Sequence, residues 1–367
     1  MRVKVAEYAA LFYDRGRLVW DDYLHHRQFE LTEVAERVCR AFARFADPED
    51  VCADLEPEDA AAVRKVVAEL VEAKVLVVEG SPEHGEEQAL LAAWGDWGAS
   101  ARHFHFASRT LGDSRYASWQ EQDVELDEKL AGSPPPPPFK SVGTTPVELP
   151  KGNGLPGWAN RPLLHVLLER RTTRRFGPEA LDLAELGHLL RVVGGPLPVK
   201  GAISRSGTVL KTTPSGGGRH PVELYLHASR VSGLEPGWYH YDAARHVLEP
   251  LGATWTPEQV TASAGDQEWV GEAAAAIYYT AVLGRTRWKY DTARAYRIVQ
   301  MDVGHLSQTA YLVATAMGLG VGFTAALRDE LVEEVLGCDP NHEIVLGITA
   351  LGRHARRRAG ASRPAPS

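Results

Sequence analysis

Residues 293–317 constrain this fold most. Ala295, Ile298, Val299, Val303, Leu306, Ala310, Val313 and Ala314 recur at helical spacing and trace a broad apolar stripe along one long helix. That face must be covered by other elements. Residues 275–282 form a continuous apolar run that reads as a buried strand, and residues 344–351 read as another. In residues 221–228, Val222, Leu224 and Leu226 alternate with Glu223, Tyr225 and His227, which predicts a strand. Residues 237–241 and 245–249 read as a hairpin, and residues 162–170 and 183–193 as helices. Helices and mostly antiparallel strands in mixed order predict an α+β domain over 157–367.

The chain has 367 residues, enough for two domains and a full core. Its net charge of −8 argues against a general nucleic-acid binder. No apolar run approaches the roughly 18 residues that cross a bilayer. Residues 1–12 lack the pattern of a signal peptide, so a cytoplasmic protein is expected. Cys39, Cys52 and Cys338 are too few and too scattered for a disulfide framework or a structural zinc site.

Two further regions precede the α+β domain. In residues 1–80, Ala10-Leu11-Phe12-Tyr13 and Leu18-Val19-Trp20 flank Asp14-Arg15-Gly16-Arg17, a hairpin signal. Thr32 is a plausible N-cap for a helix with Val34, Val38, Ala41, Phe42 and Phe45 on one face. A second helix is expected over 57–73, emptying into a strand at 74–80. Helices followed by a two-stranded wing suggest a winged-helix-like domain, similar to those that capture leader peptides; the alternative is a helical cap that extends a dimer. Residues 81–156 read as a connector. Its first half is aromatic, with Trp94, Trp97, Phe104 and Phe106, while Pro134 to Pro138 favours an extended spacer.

Four segments of the third region could carry chemistry. Arg170-Arg171-Thr172-Thr173-Arg174-Arg175-Phe176 offers forked guanidinium donors and hydroxyls suited to a phosphate. Pro214-Ser215-Gly216-Gly217-Gly218-Arg219-His220-Pro221 is a turn whose missing side chains let another molecule approach the main chain; it lacks the Gly-Lys-Ser/Thr ending of a P-loop. Trp288-Lys289-Tyr290 lies just ahead of Tyr296-Arg297, and the arginines at 353 and 356–358 end the region. Gly318-Leu319-Gly320-Val321-Gly322-Phe323 follows a helix instead of opening one, which makes a Rossmann reading poor. His305 reads as core, and His220 as a minor active-site candidate.

In this order and spacing the four segments resemble the flavin-dependent nitroreductase superfamily over residues 157–358. The branch they resemble is the SagB/ThcOx-type azoline dehydrogenases of peptide natural-product pathways. The resemblance implies a nitroreductase-like FMN-binding fold, a homodimer with flavin sites across its interface and a precursor-peptide substrate. It leaves room for a cyclodehydratase partner. It implies that Arg170, Arg171, Thr172 and Arg174 hold the phosphate and one flavin edge, and that Pro214, Ser215, Gly216 and Gly218 reach the flavin of the neighbouring subunit. Backbone N–H groups near Thr324, Ala325 and Ala326 would face the flavin. Arg353 or Arg356 would add a second phosphate cation. The family usually has a polar residue near Gly216 or Gly218; glycine there weakens side-chain contact and leaves room for backbone contact.

Lys289 and Tyr290 inherit a catalytic role from the same resemblance. Oxidising a thiazoline or oxazoline ring to an azole removes a proton and a hydride, and a lysine of lowered pKa, or a phenol held beside it, can take the proton. Two other readings stay open: an NAD(P)H-dependent flavin reductase of nitro, quinone or dehydroamino acid substrates, and a non-catalytic peptide-docking scaffold.

Overall fold

A computed structural model describes residues 1–150 and 156–355. The chain divides after Arg115 into two compact units.

The first unit contains β1 (Val3–Val5), β2 (Ala10–Asp14), β3 (Arg17–Asp22) and β4 (Arg27–Glu30), then α1 (Glu33–Ala41), α2 (Pro48–Cys52) and α3 (Pro57–Glu72), then β5 (Leu76–Val78), α4 (Pro82–Trp94) and α5 (Gly98–Ala107). The hairpin forms as the sequence predicts. Its two-residue turn, Arg15 and Gly16, has both φ angles positive, at 48° and 82°, which suits the twist of the flanking strands. Thr32 caps α1 by accepting from Ala35 N at 3.2 Å. The buried face of α1 differs from expectation: Ala35, Val38, Cys39 and Phe42 face inward, and Val34 is 49% exposed. Nor does a two-stranded wing follow the helices. The three-stranded sheet β2–β3–β4 precedes them, and β5 pairs antiparallel with the N-terminal β1. The connector's aromatic half is helical and belongs to this unit. Leu90, Trp94 and Phe106 pack into its core, and Arg102 Nε donates to Tyr23 Oη at 2.7 Å.

The second unit holds α6 (Trp119–Gly132), β6 (Val147–Glu148), α7 (Leu163–Glu169), β7 (Leu181–Asp182), α8 (Leu183–Gly194), β8 (Val222–Ala228), β9 (Val231–Ser232), β10 (Gly237–Asp242) and β11 (Val247–Pro250). It continues with α9 (Pro257–Ser263), α10 (Glu268–Gly271), β12 (Ala275–Val282), α11 (Leu283–Lys289), α12 (Ala295–Ala316), β13 (Gly320–Thr324), α13 (Asp329–Leu336) and β14 (Glu343–Gly352). Seven strands form one antiparallel sheet in the order β13-β14-β12-β8-β10-β11-β6. The α+β expectation therefore holds.

Strand alternation gives this sheet two buried faces. Leu224, Leu226, Ile277 and Tyr279 pack with Leu189 and Val193 of α8 and with Val303, Leu306 and Ala310 of α12. Tyr225, Tyr278 and Ile348 pack on the other side with Val260 of α9, Val270 of α10 and Val332 of α13. Glu223, which the alternation placed on a polar face, is thus buried and meets internal partners. The proline run is no free spacer either: Pro137 O accepts from Arg285 Nε of α11 at 2.8 Å.

Candidate active site

Lys289 is the last residue of α11 and Tyr290 its C-cap. Both lie against the glycine turn. Gly217 has φ +62°, and a Cβ there would sit 2.4 Å from Tyr290 Oη and 3.0 Å from Lys289 Nζ. A side chain is excluded by conformation and by contact alike. The turn is fastened to α12 by the buried Asp302. Ser215 Oγ donates to Asp302 Oδ2 at 2.6 Å and Gly216 N to Oδ1 at 3.3 Å. Ser215 Oγ also accepts from His220 N at 2.9 Å. Burial raises the Asp302 carboxyl above its ordinary value, against the pull of those two bonds.

Burial lowers the Lys289 pKa, and the positive charge of Arg219 adds to the shift. Burial raises Tyr290, opposed by Arg219 and reinforced by Asp302. Both shifts favour the uncharged forms of the pair, an amine that can take a proton and a phenol that can donate a hydrogen bond. A small cavity of about 160 Å³ opens beside Tyr290, lined by Thr286, Thr292, Tyr296 and Val299 among others.

His220 is buried and its Nε2 sits 2.9 Å from Val209 O. Burial pushes it down to about 3, so it stays neutral at working pH. His305 corrects the sequence reading: it is exposed, not core, with Nδ1 3.2 Å from Pro214 O.

The arginine cluster sits at another edge of α12. Arg170 caps α7, and the chain then runs along the sheet edge, with Thr173 N donating to Val321 O at 2.8 Å. Gly322 permits this approach, because a Cβ there would lie 2.8 Å from Thr173 O and 2.7 Å from the Trp269 ring. Tyr311 of α12 is the hub. Its Oη shares a 3.0 Å hydrogen bond with Thr172 Oγ1 and accepts from Phe323 N at 2.9 Å. The Arg170 guanidinium lies over its ring, 5.2 Å from the centroid.

The cations of this cluster differ in availability. Arg171 Nη1 bonds the Leu168 and Arg170 carbonyls at 2.9 and 2.7 Å, so it finishes its own helix. Among the described residues neither Arg170 nor Arg174 has a carboxylate within ion-pair distance, and Arg174 is exposed. Arg353 instead forks onto Glu185 at 2.9 and 2.6 Å, which commits it away from an anion. Arg356 lies outside the described residues. Thr324 is buried, and its hydroxyl accepts from Gln267 Nε2 at 2.8 Å and Ala326 N at 3.1 Å. Ala325 and Ala326 are exposed just past β13.

Sequence reasoning missed Asp302 and Tyr311. A lone carboxylate inside the apolar stripe of residues 293–317 was the available signal for the first. Nothing local marks the second, whose partners are all distant in sequence.

The profile of the Nitroreductase family matches residues 167–353. The chain belongs to that family, as the sheet, the long helix and the motif order together suggest. It is 32% identical over 171 residues to a putative nitroreductase of Methanocaldococcus jannaschii, covering 47% of this chain and 82% of the relative. It is 30% identical over 148 residues to the trifolitoxin-processing protein TfxB of Rhizobium leguminosarum bv. trifolii, covering 39% and 40%. It is 31% identical over 140 residues to the microcin B17-processing protein McbC of Escherichia coli, covering 36% and 50%. The chain thus matches half or less of each processing protein.

Proposed function

We propose that this chain is an FMN-dependent dehydrogenase that oxidises azoline rings to azoles in a ribosomally made peptide. The observation that carries the reading is the packing of Lys289 Nζ and Tyr290 Oη onto Gly217, in a turn fastened by Asp302. Two relatives named for processing trifolitoxin and microcin B17 support a peptide substrate.

The residues fit FMN. Arg170 and Arg174 present guanidinium groups without carboxylate partners, Thr172 adds a hydroxyl, and the exposed Ala325 lies just past β13. When bound, FMN supplies the hydride acceptor. Lys289 Nζ, neutral, takes the proton from the ring carbon that lies between the ring nitrogen and the peptide carbonyl. Tyr290 Oη, held protonated, donates a hydrogen bond that fixes the ring or the amine. The glycine turn keeps both groups at one surface.

The reading includes a homodimer. Asp302 and Tyr311 are nine residues apart, so they stand half a turn around α12 and about 14 Å along it. The cation cluster and the Lys–Tyr pair of one chain therefore lie at opposite edges of the helix's buried face, an arrangement that favours a flavin site completed by a second copy. Leu163, Leu164 and Leu168 of α7, each more than 60% exposed, give that copy an apolar surface to cover. In this reading the first unit binds the peptide.

The absorbance spectrum of purified protein, followed by mass spectrometry of an azoline peptide, tests the proposal. Flavin bands and loss of two hydrogens per ring are expected. An intact azoline after incubation with flavin-loaded protein and oxygen rejects it. The M. jannaschii relative, matched over most of its length, favours a second reading as an NAD(P)H-dependent reductase. Rapid bleaching of bound flavin by NAD(P)H would support that one.

A further inference from the structure

We propose that Arg219 is a positioning residue of the Lys289–Tyr290 pair: it clamps α11 against the glycine turn and sets a buried positive charge beside the pair. The proposal rests on reading Lys289 as a base.

Arg219 directly follows Gly218 and is 1% exposed. Among the described residues no carboxylate lies within ion-pair distance of it. A buried cation without a counter-charge is costly. Its bonds go to main-chain carbonyls instead. Nε donates to Arg285 O at 2.9 Å and Nη1 to Ser206 O at 2.5 Å. The guanidinium stacks on Trp288, 4.9 Å from the ring centroid. Arg285 and Trp288 are three residues apart on α11, hence on one face. Trp288 Nε1 donates in turn to Ser133 O at 3.1 Å. The last turn of α11 is thus held from both sides, immediately before Lys289.

The neighbouring Arg285 shows the contrast. It is also buried, yet it pairs with Glu223 at 2.5 Å. Of two adjacent buried arginines one is neutralised, and the unneutralised one stacks beside the Lys–Tyr pair.

The other groups facing Lys289 do not replace that charge. Lys129 of α6 donates to the Lys289 carbonyl at 3.0 Å and lies 3.9 Å from Asp291. Asp302 of α12 acts on Tyr290, and its carboxylate is already engaged by Ser215 and Gly216. Tyr290 and Tyr296 are phenols. A like charge disfavours an ammonium, and Arg219 lowers the Lys289 pKa after burial has done so.

Competitive acylation of the flavin-loaded protein across pH, read at Lys289 by peptide mass spectrometry, measures its neutral fraction without any substrate. In the wild type the midpoint should fall below the ordinary lysine value of about 10.4. Arg219→Gln should raise it, with a matching loss of neutral amine below the midpoint. Arg219→Lys should hold the midpoint near wild type while turnover drops, since charge survives and the stack does not. The rising limb of the pH–rate profile should move with the midpoint. Should Arg219→Gln fail to fold, Arg219→Met fills the space with apolar atoms and should show the same rise.

An ordinary midpoint in the wild type, or an unchanged one in a folded Gln or Met variant, overturns the proposal. A shifted midpoint in protein that never oxidises an azoline leaves the coupling standing and rejects the function assigned to Lys289 instead.

Discussion

Gly217→Ala perturbs the site through one methyl group. Its Cβ would lie 2.4 Å from Tyr290 Oη and 3.0 Å from Lys289 Nζ, at φ +62°. Two costs follow. The left-handed conformation costs about 1–2 kcal/mol with a Cβ present. The contact forces Oη to retreat by roughly 1 Å to reach ordinary separation. For a unit of this size each kcal/mol lowers Tm by about 2–4 °C, so a fall of roughly 2–8 °C is expected from the backbone cost alone. Misplacing reacting groups by this order can cost about 10²-fold in rate. The assay is turnover per bound flavin on an azoline peptide, with thermal melts on the same samples. Tyr290→Phe supplies the control. It removes Oη, so Gly217→Ala should destabilise the Phe background less than the wild type. Equal destabilisation in both backgrounds, or wild-type turnover in the alanine variant, refutes the reasoning that the turn is glycine because Tyr290 lies on it.

Lys289→Ala and Tyr290→Phe should each keep flavin content and lose about 10²–10⁴ in turnover; turnover and occupancy measured on the same samples check this. Arg170→Ala should weaken FMN binding by about 1.5–3 kcal/mol, roughly 10- to 150-fold, in a fluorescence titration, whereas Arg353→Ala should act mainly on stability, since that side chain forks onto Glu185. The protein should be acid-labile. Burial pushes His227 down to about 4 from 6.5, so as pH falls below about 6.5 the unfolded chain takes up a proton that the folded chain refuses. Stability then drops by up to about 1.4 kcal/mol per pH unit until about pH 4. Urea midpoints at pH 7 and 5 should differ less in His227→Phe.

The sequence exposed what depends on local pattern. Periodicity found α12 and the strands around it, because each buries a face that repeats along the chain. Turn chemistry found the β2–β3 hairpin, and capping found the start of α1. What escaped depends on distant partners. The strand at 76–78 was visible, but its pairing with β1 needed a segment 70 residues away. Glu223 looked solvent-facing because alternation cannot distinguish water from a buried arginine. Pro137 looked like a spacer because polyproline forms no internal bonds, and only the fold supplies Arg285 as a donor. The Lys–Tyr pair and the glycine turn were each legible, but their contact was not. Arg353 looked like a free cation until Glu185 appeared opposite it.

The position of Asp302 and Tyr311 on one continuous helix makes α12 a phase-setting rod. Inserting one residue between them would turn the two ends by about 100° relative to each other while adding only about 1.5 Å. The glycine turn and the cation cluster would then point out of register although both remained folded. Inserting four residues adds about 6 Å and restores the angle to within about 40°. Length variation in this segment should therefore be tolerated in steps of whole turns, even where that moves the ends further apart than a single residue would.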